Sequence, residues 1–180
     1  MEKDKLKNLN FKELLQGIDT LFFDIDGVLS GSQIGISHNG DLIRSTNVKD
    51  GYVLKYALTK KIKIFILSGG LNKNVQSRFQ KLGIENVIIG CHDKLSEFQK
   101  LVKTYKLDSN KILYMGDDIP DYRVMQQVGL PCCPSDAASE IKEISLYISD
   151  KKGGDGCVRD IVEQVLRAKG LWMCDDAYTT

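Results

Sequence analysis

The segment that decides the fold is Leu21-Phe22-Phe23-Asp24-Ile25-Asp26-Gly27-Val28-Leu29, where an apolar run leads into two carboxylates and a glycine. The apolar residues predict a buried strand over about 20–25. Gly27 permits a sharp turn, so we expect the strand to end near Asp24 and Asp26 to lie on the loop that follows. Taken alone, the pair also fits an ordinary acidic turn after a strand. The rest of the chain distinguishes these two interpretations.

The composition is that of a globular protein with one hydrophobic core. The chain has 180 residues, of which 42% are hydrophobic and 27% are charged, and its formal net charge is +1. This charge gives no indication of nucleic acid or an anionic membrane as a partner. No apolar run approaches the roughly 20 residues that a membrane-spanning helix needs. The charged N-terminus lacks the apolar core of a signal peptide, which predicts a cytoplasmic location.

The five cysteines support the same location. Their number is odd and no CxxC motif occurs, so neither a disulfide framework nor a zinc site is indicated. Reduced thiols are typical of cytosolic proteins.

Predicted strands alternate with predicted helices along the chain. The strands lie at about 20–25, 62–67, 86–89, 111–115, 130–133 and 146–148. The helices lie at about 52–59, 71–82, 95–105, 122–128, 137–143 and 158–168. Because the central strands are continuously apolar, they indicate a parallel sheet with helices on both faces. We therefore predict one α/β domain over 1–180, with three α/β/α layers and a Rossmann-like central parallel sheet.

One segment departs from this alternation. Extended runs at about 33–37 and 41–46 flank His38-Asn39-Gly40, and Asn-Gly between such runs is a strong hairpin signal. We predict a β-hairpin over about 33–47 that projects from the end of the first strand, with no separate cap domain. The tail, about 170–180, carries no predicted element.

Polar groups follow the main strands where each of them ends. They are Asp24 and Asp26, then Ser68-Gly69-Gly70, then Asp93-Lys94, and finally Gly116-Asp117-Asp118-Ile119-Pro120-Asp121. In a doubly wound sheet, ligands bind beyond the carboxyl ends of the strands, so we expect these groups to share one cleft. So many carboxylates in one place need a cation, and hard oxygen ligands without a His or Cys cluster favour Mg²⁺. With Lys94, the Ser68 hydroxyl and free backbone amides, the cleft suits a phosphoryl group, which a carboxylate could take up as nucleophile.

These four motifs, in this order, resemble those of the haloacid dehalogenase superfamily over roughly residues 18–168. The chain is most similar to the small, capless branch that contains the 3-deoxy-D-manno-octulosonate 8-phosphate (KDO 8-phosphate) phosphatases. The supporting stretches are Asn39-Gly40, Asn47-Val-Lys-Asp-Gly51 and Gly153-Gly-Asp-Gly-Cys-Val-Arg159-Asp. The resemblance implies a Mg²⁺-dependent phosphatase that acts on a small sugar phosphate.

The resemblance also implies a role for each motif residue. Asp24 is the expected nucleophile, and Asp26 is the expected general acid and base. Mg²⁺ is expected on the Asp24 side chain, the Asp26 backbone carbonyl and Asp117. Asp118 and Asp121 are expected to orient the metal's water ligands and Lys94. Ser68, Gly69 and Lys94 are expected to hold the phosphoryl oxygens.

Position 70 departs from the pattern of this branch. KDO 8-phosphate phosphatases carry Thr-Gly-Arg where this chain has Ser68-Gly69-Gly70, and relatives that act on a nine-carbon ketodeoxy-sugar phosphate have Glu at the third position. The substrate therefore stays open between KDO 8-phosphate, the nine-carbon sugar phosphate and another small phosphoester. A non-catalytic binding protein with the same fold is a further alternative. Gly70, Lys49 and Arg159 are candidate substrate contacts.

The branch also suggests an assembly. Its members form homotetramers through their hairpins, so that one subunit covers the active site of its neighbour. The resemblance implies the same for the hairpin here, and it suggests that the C-terminal segment reaches an adjacent site, with Gly153–Gly156 as a flexible entry.

Three of the site residues also have structural interpretations that the sequence leaves open. Ser68 could cap the helix that follows it. Lys94 could be a surface lysine at a helix start, and Arg159 could form a salt bridge within its own helix.

Overall fold

A six-stranded sheet in which all neighbouring strands are parallel forms the centre of the computed structural model, which describes residues 10–178. The strands are β1 (Thr20–Phe23), β2 (Gly35–Ile36), β3 (Leu42–Ile43), β4 (Lys63–Leu67), β5 (Asn86–Ile88), β6 (Ile112–Met115), β7 (Leu130–Cys133) and β8 (Tyr147–Ile148). The order in the sheet is β5-β4-β1-β6-β7-β8, while β2 and β3 form a separate antiparallel pair. Strand β1 thus lies between β4 and β6, and the end of β1 is at the middle of the sheet edge.

Helices cover both faces of this sheet, as predicted. They are α1 (Phe11–Gly17), α2 (Val48–Thr59), α3 (Lys73–Lys81), α4 (Lys94–Tyr105), α5 (Ile119–Met125), α6 (Ser139–Ile144) and α7 (Cys157–Ala168). Short 3₁₀ turns occur at Ser109–Lys111 and Asp175–Tyr178. None of the described helices is long and apolar enough to cross a membrane.

The first strand contributes to two separate hydrophobic cores. Leu21 and Phe23 pack in the core with α1, α2, α3 and α7. Phe22 packs in the core on the opposite face, where its ring stacks on that of Phe65 at 4.5 Å between centroids. Successive side chains on a strand point to opposite faces, so a strand covered on both sides must be apolar throughout. The predicted three-layer α/β/α architecture is confirmed.

The predicted hairpin is also present. Strands β2 and β3 pair antiparallel, and Ser37 and Gly40 close the turn through backbone hydrogen bonds of 2.9 Å each. Apolar side chains on the hairpin remain exposed, namely Ile34, Ile36, Leu42 and Ile43. The hairpin therefore presents an apolar surface outside both cores.

Several predicted boundaries near the site were wrong, among them those of helix α5, which spans Ile119–Met125 and not about 122–128. Strand β1 ends at Phe23, close to the expected end near Asp24 but before the boundary at Ile25, so that both Asp24 and Asp26 lie beyond it. Helix α2 begins at Val48, four residues before the predicted start, because the Asn47 side chain accepts a hydrogen bond from the Lys49 amide and caps it.

The glycine-rich stretch before α7 is closely packed, which contradicts the expected flexible entry. A Cβ at Gly153 would lie 1.9 Å from the Gly27 carbonyl oxygen. The Gly154 amide donates to the Val28 carbonyl at 2.8 Å. These glycines let two backbone segments approach each other, so this stretch supports the loop that carries Asp26.

The tail likewise packs on its own subunit over residues 171–178. The Tyr52 hydroxyl donates to the Ala177 carbonyl, and Lys60 pairs with Asp176 at 2.5 Å. The Trp172 ring contacts the Tyr56 ring edge-on, with 5.8 Å between centroids. These contacts hold the tail against helix α2. The expected reach into a neighbouring site stays a prediction, and residues 179–180 lie outside the described part.

Candidate active site

A cleft of about 550 Å³ lies at the carboxyl ends of β1, β4 and β6. It brings together nine of the predicted site residues, namely Asp24, Asp26, Ser68, Gly69, Gly70, Lys94, Asp117, Asp118 and Asp121. These residues come from four chain segments that are distant in sequence. The parallel sheet places them together, since every strand of such a sheet ends at the same edge.

Asp24 is the first residue after β1 and is almost buried, with 7% of its surface exposed. Its Oδ1 accepts a hydrogen bond from the Ile25 amide at 2.7 Å, and its Oδ2 lies 2.8 Å from the Lys94 Nζ. Burial, followed by the charge of Asp121, raises the pKa of Asp24 to about 7 in the metal-free protein. The carboxylate is thus fixed in direction, and burial disfavours its charged form in the metal-free protein.

Lys94 joins Asp24 to a second buried carboxylate. Its Nζ donates to Asp121 Oδ1 at 2.7 Å, and the Tyr114 hydroxyl donates to the same oxygen at 2.6 Å. The other oxygen of Asp121 accepts from the Asp117 amide at 3.3 Å. Burial alone would lower the pKa of the Lys94 ammonium, but the charges of Asp24 and Asp121 outweigh it and raise that pKa. The surface interpretation of Lys94 was therefore wrong, and the ammonium is a fixed positive charge in the cleft.

Three carboxylates in the cleft are close enough to share a metal ion. Oxygen atoms of Asp24, Asp117 and Asp121 lie within 4.8 Å of one another. Burial, followed by the charges of Asp24 and Asp121, raises the pKa of Asp117 to about 8. A cation bound among these carboxylates would favour their charged forms. All the donor atoms are hard oxygens, so the residues present fit a Mg²⁺ ion.

Asp26 lies on the loop after β1, as predicted, and forms an ion pair with the hairpin. The Arg44 Nε is 2.5 Å from Asp26 Oδ1, and the Arg44 Nη2 is 2.9 Å from Oδ2. The Ser30 hydroxyl donates to Oδ1 at 3.2 Å. Arg44 was not among the predicted site residues, because nothing in a hairpin pattern shows which side chain turns back to the cleft. The spacing of 18 residues is outside any local motif.

Ser68 and the two glycines after it form the wall beside Asp26. Ser68 is 2% exposed, and its hydroxyl accepts a hydrogen bond from the Gly70 amide at 3.2 Å. The alternative role as a helix cap was wrong, because helix α3 is capped by Asn72, whose side chain accepts from Asn74 and Val75.

Two candidate substrate contacts lie elsewhere. Lys49 and Arg159 line a separate depression beside α7. The Arg159 guanidinium pairs with Glu163 at 2.9 Å and lies over the Trp172 ring, 4.7 Å from its centroid. Within one subunit this matches the salt-bridge interpretation of Arg159. A role in substrate binding would require a site shared with a neighbouring subunit.

Asp118 borders the cleft without touching Lys94 in the described structure. It is exposed and precedes α5, where its backbone carbonyl accepts a hydrogen bond from the Asp121 amide at 2.9 Å. Its contribution to the site is the turn that carries the Asp121 side chain inward. Tyr114, which the sequence analysis did not single out, makes the buried contact with Asp121 instead.

Comparisons with known proteins identify the family of this chain. A family model of the haloacid dehalogenase-like hydrolases matches residues 91–161, which include Lys94, Asp117 and Asp121. The chain is 35% identical over 155 residues to the KDO 8-phosphate phosphatase of Escherichia coli K12, covering 86% of this chain and 82% of that protein.

Solved structures agree as well. The crystal structure of the KDO 8-phosphate phosphatase from Yersinia pestis matches with a TM-score of 0.86 at 32% identity, over 89% of this chain and 86% of that one. The Moraxella catarrhalis enzyme, solved with magnesium, phosphate and KDO, matches with a TM-score of 0.85 at 30% identity, over 88% of this chain and 91% of that one. Given this site, fold and identity, the chain belongs to the haloacid dehalogenase-like hydrolases, in the family of the 3-deoxy-D-manno-octulosonate 8-phosphate phosphatases.

Proposed function

We propose that this protein is a Mg²⁺-dependent phosphatase that hydrolyses KDO 8-phosphate to KDO and phosphate through an aspartyl-phosphate on Asp24. One observation carries the proposal. The Asp24 carboxylate, fixed by Lys94 at 2.8 Å, faces a cleft that also holds Asp26, Ser68 and Asp117. The family membership and the KDO-bound Moraxella catarrhalis relative support the choice of substrate.

Asp24, Asp117 and the backbone carbonyl of Asp26 would hold the Mg²⁺ ion. When bound, the ion would offset the acidic charge and help to neutralise the phosphoryl oxygens. Asp121 is not expected to bind the ion directly, because its oxygens already accept hydrogen bonds from Lys94, Tyr114 and the Asp117 amide.

The chain's own groups account for both halves of the reaction. In the first half, Asp24 attacks phosphorus, the bond from phosphorus to the sugar oxygen breaks, and Asp26 gives that oxygen a proton. In the second half, Asp26 takes a proton from water as the water attacks phosphorus, and the bond to Asp24 breaks with release of phosphate. General acid and base work of this kind contributes on the order of 10²–10⁴-fold in rate. Ser68, the Gly69 amide and Lys94 stabilise the charge on the phosphoryl oxygens.

A second candidate keeps this chemistry with another substrate. Gly70 offers the sugar no side chain, so the nine-carbon ketodeoxy-sugar phosphate and other small phosphoesters remain candidates. A phosphate-release panel with these esters, with and without Mg²⁺, separates the alternatives. We expect the highest kcat/KM for KDO 8-phosphate and no release after Mg²⁺ is removed. A preference for another ester would overturn the substrate, and no activity on any ester would overturn the enzyme.

A homotetramer built through the hairpins also belongs to the proposal. It is supported by the exposed apolar residues of the hairpin, of which Ile36 is 74% and Ile43 is 57% exposed. Burying such residues between subunits would be favourable. Light scattering tests this, and a monomer at working concentration would contradict it. The single domain over 1–180 and the cytoplasmic location stay predictions from the sequence.

Mg²⁺ should stabilise the protein more at high pH than at low pH. The pKa values of Asp24, about 7, and Asp117, about 8, lie above the ordinary 3.8. Between about pH 4 and pH 8 the metal-free folded protein therefore binds more protons than the unfolded chain, and its stability falls as the pH rises. Mg²⁺ requires the ionised carboxylates and reverses this loss.

Thermal unfolding at about pH 5.5 and about pH 8.5, with and without Mg²⁺, measures the effect. A monovalent salt at equal ionic strength controls for screening. We expect the Mg²⁺-induced rise in unfolding midpoint to be larger at the higher pH, and an equal rise at both pH values would contradict the proposed ligands.

A further inference from the structure

The Arg44 side chain is buried beside Asp26, although it comes from the hairpin. Only 4% of the Arg44 side chain is exposed, compared with 31% of the Asp26 side chain. The two contacts, Nε to Oδ1 at 2.5 Å and Nη2 to Oδ2 at 2.9 Å, form a bidentate pair. Such pairs fix the orientation of a carboxylate as well as its charge. The guanidinium thus determines the direction of the carboxylate that the proposed mechanism uses for proton transfer.

Gly70 borders the same space. A Cβ at position 70 would lie 3.2 Å from Asp26 Oδ2 and 3.3 Å from Arg44 Nη2. Both distances are tighter than ordinary van der Waals contacts, so a Cβ at position 70 would press on the Asp26–Arg44 pair, and a larger side chain would crowd the guanidinium. The glycine therefore leaves the Arg44 guanidinium room at its observed position.

We propose that Arg44 and Gly70 form a coupled pair, in which Gly70 leaves the space beside Asp26 and the Arg44 guanidinium fills it and positions the Asp26 carboxylate for proton transfer to the sugar oxygen. The positioning role rests on the proposed phosphatase function. Arg44 acts through Asp26 and is a positioning residue. The pair gives a structural reason for glycine at position 70, where this chain departs from the pattern of its branch.

The remaining contacts of Asp26 are too few to fix it. Among the described residues, the only other hydrogen bond to its carboxylate comes from the Ser30 hydroxyl, at 3.2 Å. Asp26 Oδ2 accepts one hydrogen bond, from Arg44, and a carboxylate oxygen can accept two. The observed pair therefore holds the carboxyl group while the second lone pair of Oδ2 stays available for the proton that passes to the sugar oxygen. It also makes the orientation of Asp26 depend on a folded hairpin.

Two substrates with different leaving groups test the positioning role. A sugar alkoxide needs a proton when it leaves, whereas para-nitrophenolate leaves readily without one. We expect Arg44→Met to lower kcat on the order of 10²-fold for KDO 8-phosphate, as a misplaced catalytic group does, and by no more than about threefold for para-nitrophenyl phosphate. Arg44→Lys should recover part of the loss, because it restores a cation without the bidentate fork.

A matched control and a double variant separate positioning of Asp26 from a general effect of losing a cation near the cleft. Lys73 lines the neighbouring cleft with the hairpin and makes no contact with Asp26 in the described structure, so Lys73→Met should leave both rates unchanged. In an Asp26→Asn background, Arg44→Met should cause no further loss with KDO 8-phosphate. An equal loss for both substrates, or a further loss in that background, would overturn the positioning role.

An unfolding cycle tests the shared space without using activity. Gly70→Leu introduces a side chain that needs the volume of the guanidinium, and Arg44→Ala empties it. We expect Gly70→Leu to lower the unfolding midpoint clearly in the wild-type background and much less in the Arg44→Ala background. Equal losses in the two backgrounds would overturn the coupled pair. Wild-type protein inactive on every phosphoester would overturn the proposed function and the positioning role together, while this cycle still decides whether the two residues compete for space.

Discussion

Asp24→Asn is expected to abolish phosphate release, with a loss on the order of 10⁴-fold or more in kcat, as is found when a covalent nucleophile is removed. An amide is not a nucleophile towards phosphorus, so the first half of the reaction has no acceptor for the phosphoryl group. The substitution also removes one of the expected metal ligands. A steady-state phosphate assay with KDO 8-phosphate and saturating Mg²⁺ measures the effect.

The same substitution should leave the fold intact. Burial and the charge of Asp121 already disfavour the charged form of Asp24. A neutral amide of the same shape therefore relieves repulsion, and Lys94 keeps its contact with Asp121 at 2.7 Å. Asp150→Asn is the control, since its side chain is 76% exposed and paired only with Lys151 in the described structure. Turnover that persists undiminished in Asp24→Asn would contradict the nucleophile.

Lys94→Met should damage both stability and activity. The ammonium, with 5% of the side chain exposed, lies between Asp24 and Asp121, which are also almost buried. Removing one partner of a buried ion pair costs about 3–5 kcal/mol, because it leaves uncompensated charge. The phosphoryl group also loses the cation that stabilises it, so we expect kcat to fall on the order of 10²–10³-fold.

Chemical denaturation of the metal-free protein measures the change in the free energy of unfolding. Lys100→Met, on the same helix but 71% exposed, should change it by no more than about 0.5 kcal/mol. Adding Asp121→Asn to Lys94→Met should restore part of the stability, since it removes one of the two orphaned charges. An unfolding free energy for Lys94→Met equal to that of the wild type would show that the Lys94 ammonium does not compensate the charges of Asp24 and Asp121.

The sheet could be predicted because its strands are buried on both faces. Leu21, Phe22 and Phe23 serve two cores, so the strand is apolar after Thr20, and β6 is likewise built of large, buried side chains. The start of α2 could not be predicted from apolar periodicity, because Val48 is 78% exposed and the helix begins at a polar cap. Boundaries fixed by single hydrogen bonds leave little trace in the pattern of apolar residues.

For the site, sequence indicated which groups meet but not how they pair. The strand ends placed Asp24, Lys94 and Asp117 in one cleft, since topology alone brings them together. The Tyr114 contact with Asp121 and the Arg44 contact with Asp26 depend on side-chain directions. The missing side chain at Gly70 was visible in the sequence, but only the structure puts Arg44 in the space beside it.

The central claim is that Asp24 carries the phosphoryl group during turnover. Its most direct test is to quench the protein in acid during turnover of KDO 8-phosphate with Mg²⁺, reduce acyl phosphates with borohydride, and map the modified residue by peptide mass spectrometry. We expect conversion of Asp24 to homoserine, dependent on both substrate and Mg²⁺. Modification of a different residue, with Asp24 intact under the same turnover, would contradict the account.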